Sequence, residues 1–225
     1  LRFRAGPVVK QLSPTGILLA SAVLSGVGLF GLSLGGAGLA TFGSATVFAV
    51  GVCYFWPTML GVVSERVPRS GALGLGLMGT VGMATVGLVT TPMMGQIADR
   101  YANERLPVPA TVALLESSAA TLAGMADADA QEAARAATDA VSDYESIGSL
   151  PQPATANALR AIIATDASPD LVAEAQSVLG PADNYGGLIS FRYVVPLCGV
   201  LTLIFGMLYV RDRRGGGYVA ERIGA

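Results

Sequence analysis

The chain has 225 residues, of which 52% are hydrophobic and only 13% charged, against about 25% charged residues in an ordinary soluble domain. With 14 Lys and Arg against 16 Asp and Glu, its net charge of −2 gives no basic surface for nucleic acid. Histidine is absent, which excludes His-dependent hydrolysis and His-ligated zinc sites. The high hydrophobic and low charged fractions predict a membrane protein, and the long apolar runs described below predict that it is all-α.

The first part of the chain predicts two membrane spans. It opens without methionine and without the pattern of a signal peptide, which indicates a piece of a longer protein. No charged residue lies between Lys10 and Glu65, a gap of 54 positions, and about 20 apolar residues cross a bilayer as a helix. A break at Gly35-Gly36-Ala37-Gly38 gives spans at about 16–35 and 38–63.

The second predicted span contains the most unusual local sequence, which runs from Tyr54 through Trp56 and Pro57 to Thr58. In one interpretation Pro57 kinks the helix, and the aromatic side chains line a substrate path. In the other, Tyr54 and Trp56 lie at headgroup level as an aromatic belt, about two turns from Glu65. The sequence leaves both interpretations open.

A polar patch containing Glu65, Arg66 and Arg69 predicts a loop, and a third span follows at about 71–97. This span is glycine-rich and also carries Thr80 and Met83. Small residues let membrane helices pack closely, so the simpler interpretation is a packing face. The alternative is a helix that rocks against its neighbours during transport, with Thr80 and Met83 contacting substrate.

Residues 98–187 predict a separate soluble helical insertion. Asp99 to Gly187 contains 13 acidic residues, four arginines and no lysine. Apolar residues recur at helical spacing in three Ala-rich stripes: Val112, Leu115, Ala119 and Leu122; Ala133, Ala137, Val141 and Tyr144; and Leu171, Ala175 and Val178. The last helix is expected to begin at Ser168-Pro169 and to end at Gly180-Pro181.

The insertion holds no constellation of catalytic groups, so no enzyme is predicted. Its densest acidic cluster comprises Glu132, Asp139, Asp143 and Glu145. These residues lack the spacing of a calcium loop and predict a solvated helix face. The sequence therefore predicts no metal site and no cofactor.

Residues 188–225 predict a last span at about 189–210 and a basic tail. Nine basic residues flank the predicted spans: Arg2, Arg4, Lys10, Arg66, Arg69, Arg211, Arg213, Arg214 and Arg222. Four spans put all nine on one face of the membrane, and basic residues near span ends stay in the cytoplasm. Both termini are therefore expected in the cytoplasm and residues 98–187 outside the inner cell membrane.

Part of the chain resembles the major facilitator superfamily of transporters. The resemblance rests on Tyr54-Phe55-Trp56-Pro57-Thr58, on the stretch from Ser64 to Ala72, and on the glycine-rich run from Gly74 to Gly87 that ends at Pro92. These segments are similar to the family's tenth helix, the loop after it and the eleventh helix. The resemblance covers about residues 14–97 and the last span, and implies helices nine to twelve of a twelve-helix protein.

The resemblance also implies a function. In that family the tenth and eleventh helices line the substrate cavity, which makes cavity candidates of Tyr54, Trp56, Thr58, Thr80 and Met83. The long insertion departs from the family pattern. The run from Gly95 to Arg100 is similar to the family's cytoplasmic loop signature, but that assignment would put all nine basic residues outside, so a solvated helix end is preferred.

Two functions are therefore expected as alternatives. The first is a fragment of a secondary transporter that moves a small, neutral polar solute such as a sugar or nucleoside by alternating access, with the bilayer and a missing N-terminal half as partners. The second is a small four-helix membrane scaffold whose acidic external domain binds a protein.

Overall fold

The computed structural model describes residues 12–36 and 38–221, and these contain α-helices and no β-strand. Within these two ranges eight α-helices follow one another: α1 (Pro14–Ser33), α2 (Leu39–Arg66), α3 (Gly71–Thr85), α4 (Thr91–Asn103), α5 (Val108–Ala123), α6 (Ala128–Ile147), α7 (Ala154–Ala164) and α8 (Pro169–Arg214). The all-α prediction is confirmed. The predicted roles of Arg2, Arg4, Lys10 and Arg222 concern residues outside the described part.

Among the described residues, four helical stretches are long and apolar enough to cross a membrane: Pro14–Ser33, Leu39–Arg66, Pro68–Asn103 and Pro169–Arg214. Several such helices are what a multi-pass membrane protein requires. The described residues divide into two compact units, each described by itself below. One runs up to Pro92 and resumes at Phe191, and the other is Met93–Ser190.

The turn between α1 and α2 depends on glycine, as the sequence predicted. Gly35 and Gly38 have φ values of 69° and 62°, a region that side-chain-bearing residues rarely adopt. At the other end of α1, the Ser13 hydroxyl accepts a hydrogen bond from Gly16 N at 3.3 Å and caps the helix, with Pro14 at its first position. The predicted span at 16–35 is therefore the helix Pro14–Ser33.

Helices α1 and α2 approach closely where glycines face the neighbouring backbone. A Cβ added at Gly51 would lie 2.6 Å from Ser25 N, and one at Gly28 would lie 2.6 Å from Phe48 Cα. Phe205 of α8 packs on Leu18 and Ala22 of α1. Small residues at such contacts let two membrane helices gain dispersion energy from backbone contact.

The third predicted span, 71–97, begins at Gly71 as expected but does not end near 97. Its helix changes hydrogen-bond register in a π-turn over Val86–Thr90 and then continues as α4 to Asn103. No residue of α3 is buried. The expected solvated helix end at Asp99 was wrong, because Asp99 lies inside α4 and pairs with Arg160.

The Met93–Ser190 unit has its own apolar core. Helices α5, α6 and α7 and the first part of α8 contribute buried Leu, Ile and Ala side chains. All three predicted stripes lie in or against this core, which confirms them. Arg160 of α7 links α4 and α8, since its guanidinium donates to Asp183 of α8 at 2.8 Å and to Asp99 of α4 at 3.0 Å. The four residues of the acidic cluster are exposed, as predicted.

The expected helix end at Gly180-Pro181 was wrong. Helix α8 continues through both residues and is 46 residues long. An interior proline costs a helix about 3 kcal/mol. Leu179 and Ala182 on either side are buried in the unit's core, and this packing keeps the helix intact.

Candidate functional site

The aromatic segment of α2 forms continuous helix. Pro57 lies inside α2 without ending it. Thr58 Oγ1 donates to the Tyr54 carbonyl oxygen at 2.6 Å, so this hydroxyl is satisfied within its own helix. Tyr54 and Thr58 are half-buried, whereas Trp56 is 48% exposed. Of the three, Trp56 therefore offers the largest free surface to a ligand or to another helix.

The candidates on the glycine-rich helix are exposed. Thr80 Oγ1 donates to the Gly76 carbonyl oxygen at 3.0 Å, and the Met83 side chain is 77% exposed. Trp56 Cζ3 lies 3.9 Å from the position that a Cβ would occupy on Gly82. The structure thus brings Trp56 of α2 against the face of α3 that carries Gly82, within one turn of both candidates.

The π-turn at Val86–Thr90 lies one turn after Met83, and sequence reasoning missed it. It closes where Thr91 N donates to the Val86 carbonyl oxygen. Single π-turns inside α-helices are frequent at functional sites. Pro92, two residues after the turn, lacks a backbone N–H and is the sequence signal that could have indicated an irregularity here.

A second polar site lies where α1 begins and where α2 and α8 end. We call it the end cluster; its members are Thr15, Glu65, Arg66, Asp212 and Tyr218. Arg66 Nη2 and Asp212 Oδ2 form an ion pair at 2.5 Å, and Thr15 Oγ1 donates to the same oxygen at 3.0 Å. The Asp212 side chain is only 10% exposed. One carboxylate therefore holds three helix ends together.

Tyr218 extends the end cluster into the segment after α8. Its hydroxyl donates to Glu65 Oε2 at 2.6 Å, and the Arg66 guanidinium carbon lies 5.1 Å from its ring centroid. Burial, together with the hydrogen bond to the Glu65 carboxylate, raises the pKa of Tyr218 to about 12. The phenol is therefore neutral and a donor at physiological pH.

The predicted loop group Glu65, Arg66 and Arg69 is only partly a loop. Glu65 and Arg66 form the last turn of α2, because their side chains find partners at the end of α8, and α2 thus extends beyond the expected residue 63. Arg69 lies in the 3₁₀ turn Pro68–Ser70 and is exposed. Sequence reasoning missed Thr15, Asp212 and Tyr218, although Asp212 is the one acid between the arginines of the tail.

The α2–α3 face and the end cluster carry different chemical groups. The α2–α3 face combines an indole, hydroxyls and a thioether, which suit hydrogen bonding and apolar contact with a neutral molecule. Among residues 12–36 and 38–221, no group of three or more His, Cys, Asp or Glu residues could hold a metal ion. Both cysteines, Cys53 and Cys198, are free.

Comparisons with protein-family models, with curated proteins and with solved structures find no match to this chain.

Proposed function

We propose that this chain is the C-terminal part of a secondary active transporter of the major facilitator type, which moves a small solute by alternating access. The observation that carries the proposal is the exposed glycine-rich face of α3, beside Trp56 and followed by a π-turn. Membrane transporters bind substrate near the midplane, where irregular helices meet helices of another repeat.

The exposed α3 face supports a partner made of further membrane helices. A Cβ added at Gly76 or Gly79 would meet no atom within 4 Å. Against lipid, a glycine face buries little apolar surface, whereas against another helix it permits close backbone approach. We therefore propose that this face meets the N-terminal half of the same protein, which supplies the rest of the substrate site.

The proposed protein lies in the inner cell membrane, with Arg66, Arg69 and the arginines of the tail in the cytoplasm. The ion pair between Arg66 and Asp212 supports this, because it joins the C-terminal ends of α2 and α8. Two helix ends in contact are on one side of a bilayer. By the charge rule that side is the cytoplasm, and the acidic 98–187 segment is outside.

The proposed substrate is a neutral polar solute such as a sugar or nucleoside. The candidates Tyr54, Trp56, Thr58, Thr80 and Met83 carry no charge and bring aromatic, hydroxyl and thioether groups. A permanently charged solute would lose its hydration on such a surface without gaining an oppositely charged partner, so its binding would be unfavourable. The proposed role is transport and not catalysis.

Two glycine variants of the full-length protein test the partner face. Gly79→Leu on α3 should abolish most solute uptake, because the side chain would obstruct the approaching helix. Gly199→Leu on α8 is the matched control, since a Cβ there also meets no atom within 4 Å. It should leave uptake nearly unchanged. Equal uptake by the two variants, at equal membrane expression, would reject the proposed face.

The four-helix scaffold is a second candidate, favoured by the separate core and exposed acidic cluster of the Met93–Ser190 unit. Such a surface suits a basic protein partner. The gene upstream of Leu1 separates the two functions. Eight further spans in frame would support the transporter, whereas a start codon close to Leu1 would support the scaffold.

A further inference from the structure

The C-terminal end of α8 carries two arginines that make neither an ion pair nor a ring contact within the described part of the chain. Of its four charged residues, Asp212 pairs with Arg66, and the Arg213 guanidinium lies 5.4 Å from the Tyr209 ring centroid. Arg211 and Arg214 are exposed and form no ion pair with any described carboxylate. These two cations are free to bind an external anion.

Both arginines line one concavity of about 410 Å³, together with Gly206, Met207 and Val210. Positions 207, 210, 211 and 214 follow the i, i+3, i+4, i+7 spacing of a single helix face. Along this face an apolar stretch leads directly into a basic one. The apolar part is open, since Met207 is 73% exposed.

We propose that this concavity binds an anionic phospholipid, with its phosphate between Arg211 and Arg214 and its acyl chain along Met207 and Val210. The inference requires that α8 crosses the membrane, but not that the protein transports anything. Guanidinium groups bind phosphate oxygens through paired N–H donors. Basic residues at a cytoplasmic span end attract anionic lipid by about 1 kcal/mol each.

The continuous apolar surface selects a lipid over a free phosphate ion. Seven residues of α-helix rise about 10 Å, so the distance from Met207 to Arg214 matches the step from upper acyl chain to headgroup. Two carbonyl oxygens at the end of α8 already accept backbone hydrogen bonds, which reduces their electrostatic repulsion of a phosphate. Gly215 N donates to the Arg211 oxygen at 3.0 Å and Gly217 N to the Asp212 oxygen at 2.8 Å.

Lipid binding to the purified full chain in neutral detergent tests the proposal. Native mass spectrometry should show phosphatidylglycerol bound in preference to phosphatidylcholine. The variant Arg211→Gln/Arg214→Gln should weaken phosphatidylglycerol binding about tenfold or more. The charge-matched control Arg69→Gln/Arg213→Gln removes two exposed arginines outside the concavity and should weaken phosphatidylglycerol binding severalfold less than the concavity variant does.

Three outcomes would overturn the site. Equal loss in the two double variants would mean diffuse attraction by net charge. Equal binding of the two lipids by the unaltered chain would mean that no anionic headgroup is selected, and this result needs no variant. Displacement of the lipid by equimolar glycerol 3-phosphate would mean a site for a free anion. The measurement does not depend on uptake, so failure of the transport proposal would be seen separately.

Discussion

Arg66 and Asp212 lie 146 residues apart in the chain and form an ion pair that joins the last turn of α2 to the end of α8. The oxygen that accepts from Arg66 also accepts from Thr15 at the start of α1. Since Asp212 is nearly enclosed, these two donors replace contacts with water that its carboxylate has lost. The Asp212 carboxylate on α8 therefore bonds directly to the start of α1 and to the end of α2.

Replacing Asp212 with Asn should destabilise the protein. The amide removes the ionic partner of Arg66 and weakens the bond from Thr15, so we expect a loss of about 1–3 kcal/mol in the free energy of unfolding. Circular dichroism of the detergent-purified chain measures the transition. Arg69→Gln, which removes an exposed charge, is the control and should change stability by less than about 0.5 kcal/mol. Similar transitions for the two variants would contradict a structural role for the ion pair.

Tyr218 should ionise late in an alkaline titration. Its pKa is about 12 against an ordinary value of 10.0, because burial and the hydrogen bond to Glu65 favour the neutral phenol. Since the folded-state pKa is raised, the contact contributes fully below pH 10 and is lost as the pH rises through 12. The phenolate absorbance of the unaltered chain minus that of Tyr218→Phe gives the titration of this residue alone.

Glu65→Gln provides the control for that titration, because it removes the neighbouring negative charge and keeps a hydrogen-bond acceptor. The difference titration should then move toward the ordinary tyrosine value. A midpoint near 10 in the unaltered chain would show that Tyr218 does not bind Glu65 in solution.

Trp56 separates the cavity interpretation from the aromatic belt. If it contacts substrate, Trp56→Ala in the full-length transporter should reduce uptake about tenfold or more, which corresponds to about 1.4 kcal/mol. Membrane insertion should be unchanged. If Trp56 is a belt residue, Trp56→Ala should alter expression of the protein in the membrane, and Trp56→Phe should restore most of that expression. Near-normal uptake by well-expressed Trp56→Ala would remove this residue from the site.

Cysteine labelling tests the proposed orientation. In a chain with Cys53 and Cys198 replaced by Ser, Ser142→Cys should react with a membrane-impermeant thiol reagent in intact cells, and Ser64→Cys should not. Both serines are exposed, so their reactivity reports sidedness. Permeabilised cells provide the control, where both should react. Ser118 is unsuitable for this purpose, because its side chain is fully buried. The opposite labelling pattern would invert the topology.

The sequence by itself determined the features that depend on local chemistry. Long charge-free runs predicted the apolar helices, because a helix satisfies its backbone hydrogen bonds within one segment and without water. Gly35 and Gly38 predicted the turn between α1 and α2, because a positive φ requires glycine. The stripe from Val112 to Leu122 predicted a buried helix face, because residues three or four apart lie on one side of a helix.

The tertiary structure decided the features that depend on which residues meet across the chain. Pro181 predicts a helix end locally, yet the buried neighbours Leu179 and Ala182 keep α8 continuous. Arg66 belongs to a polar patch in the sequence, yet Asp212 holds it in the last turn of α2. Local propensities amount to a few kcal/mol, and packing or an ion pair of similar size, made with residues distant in the chain, reverses them.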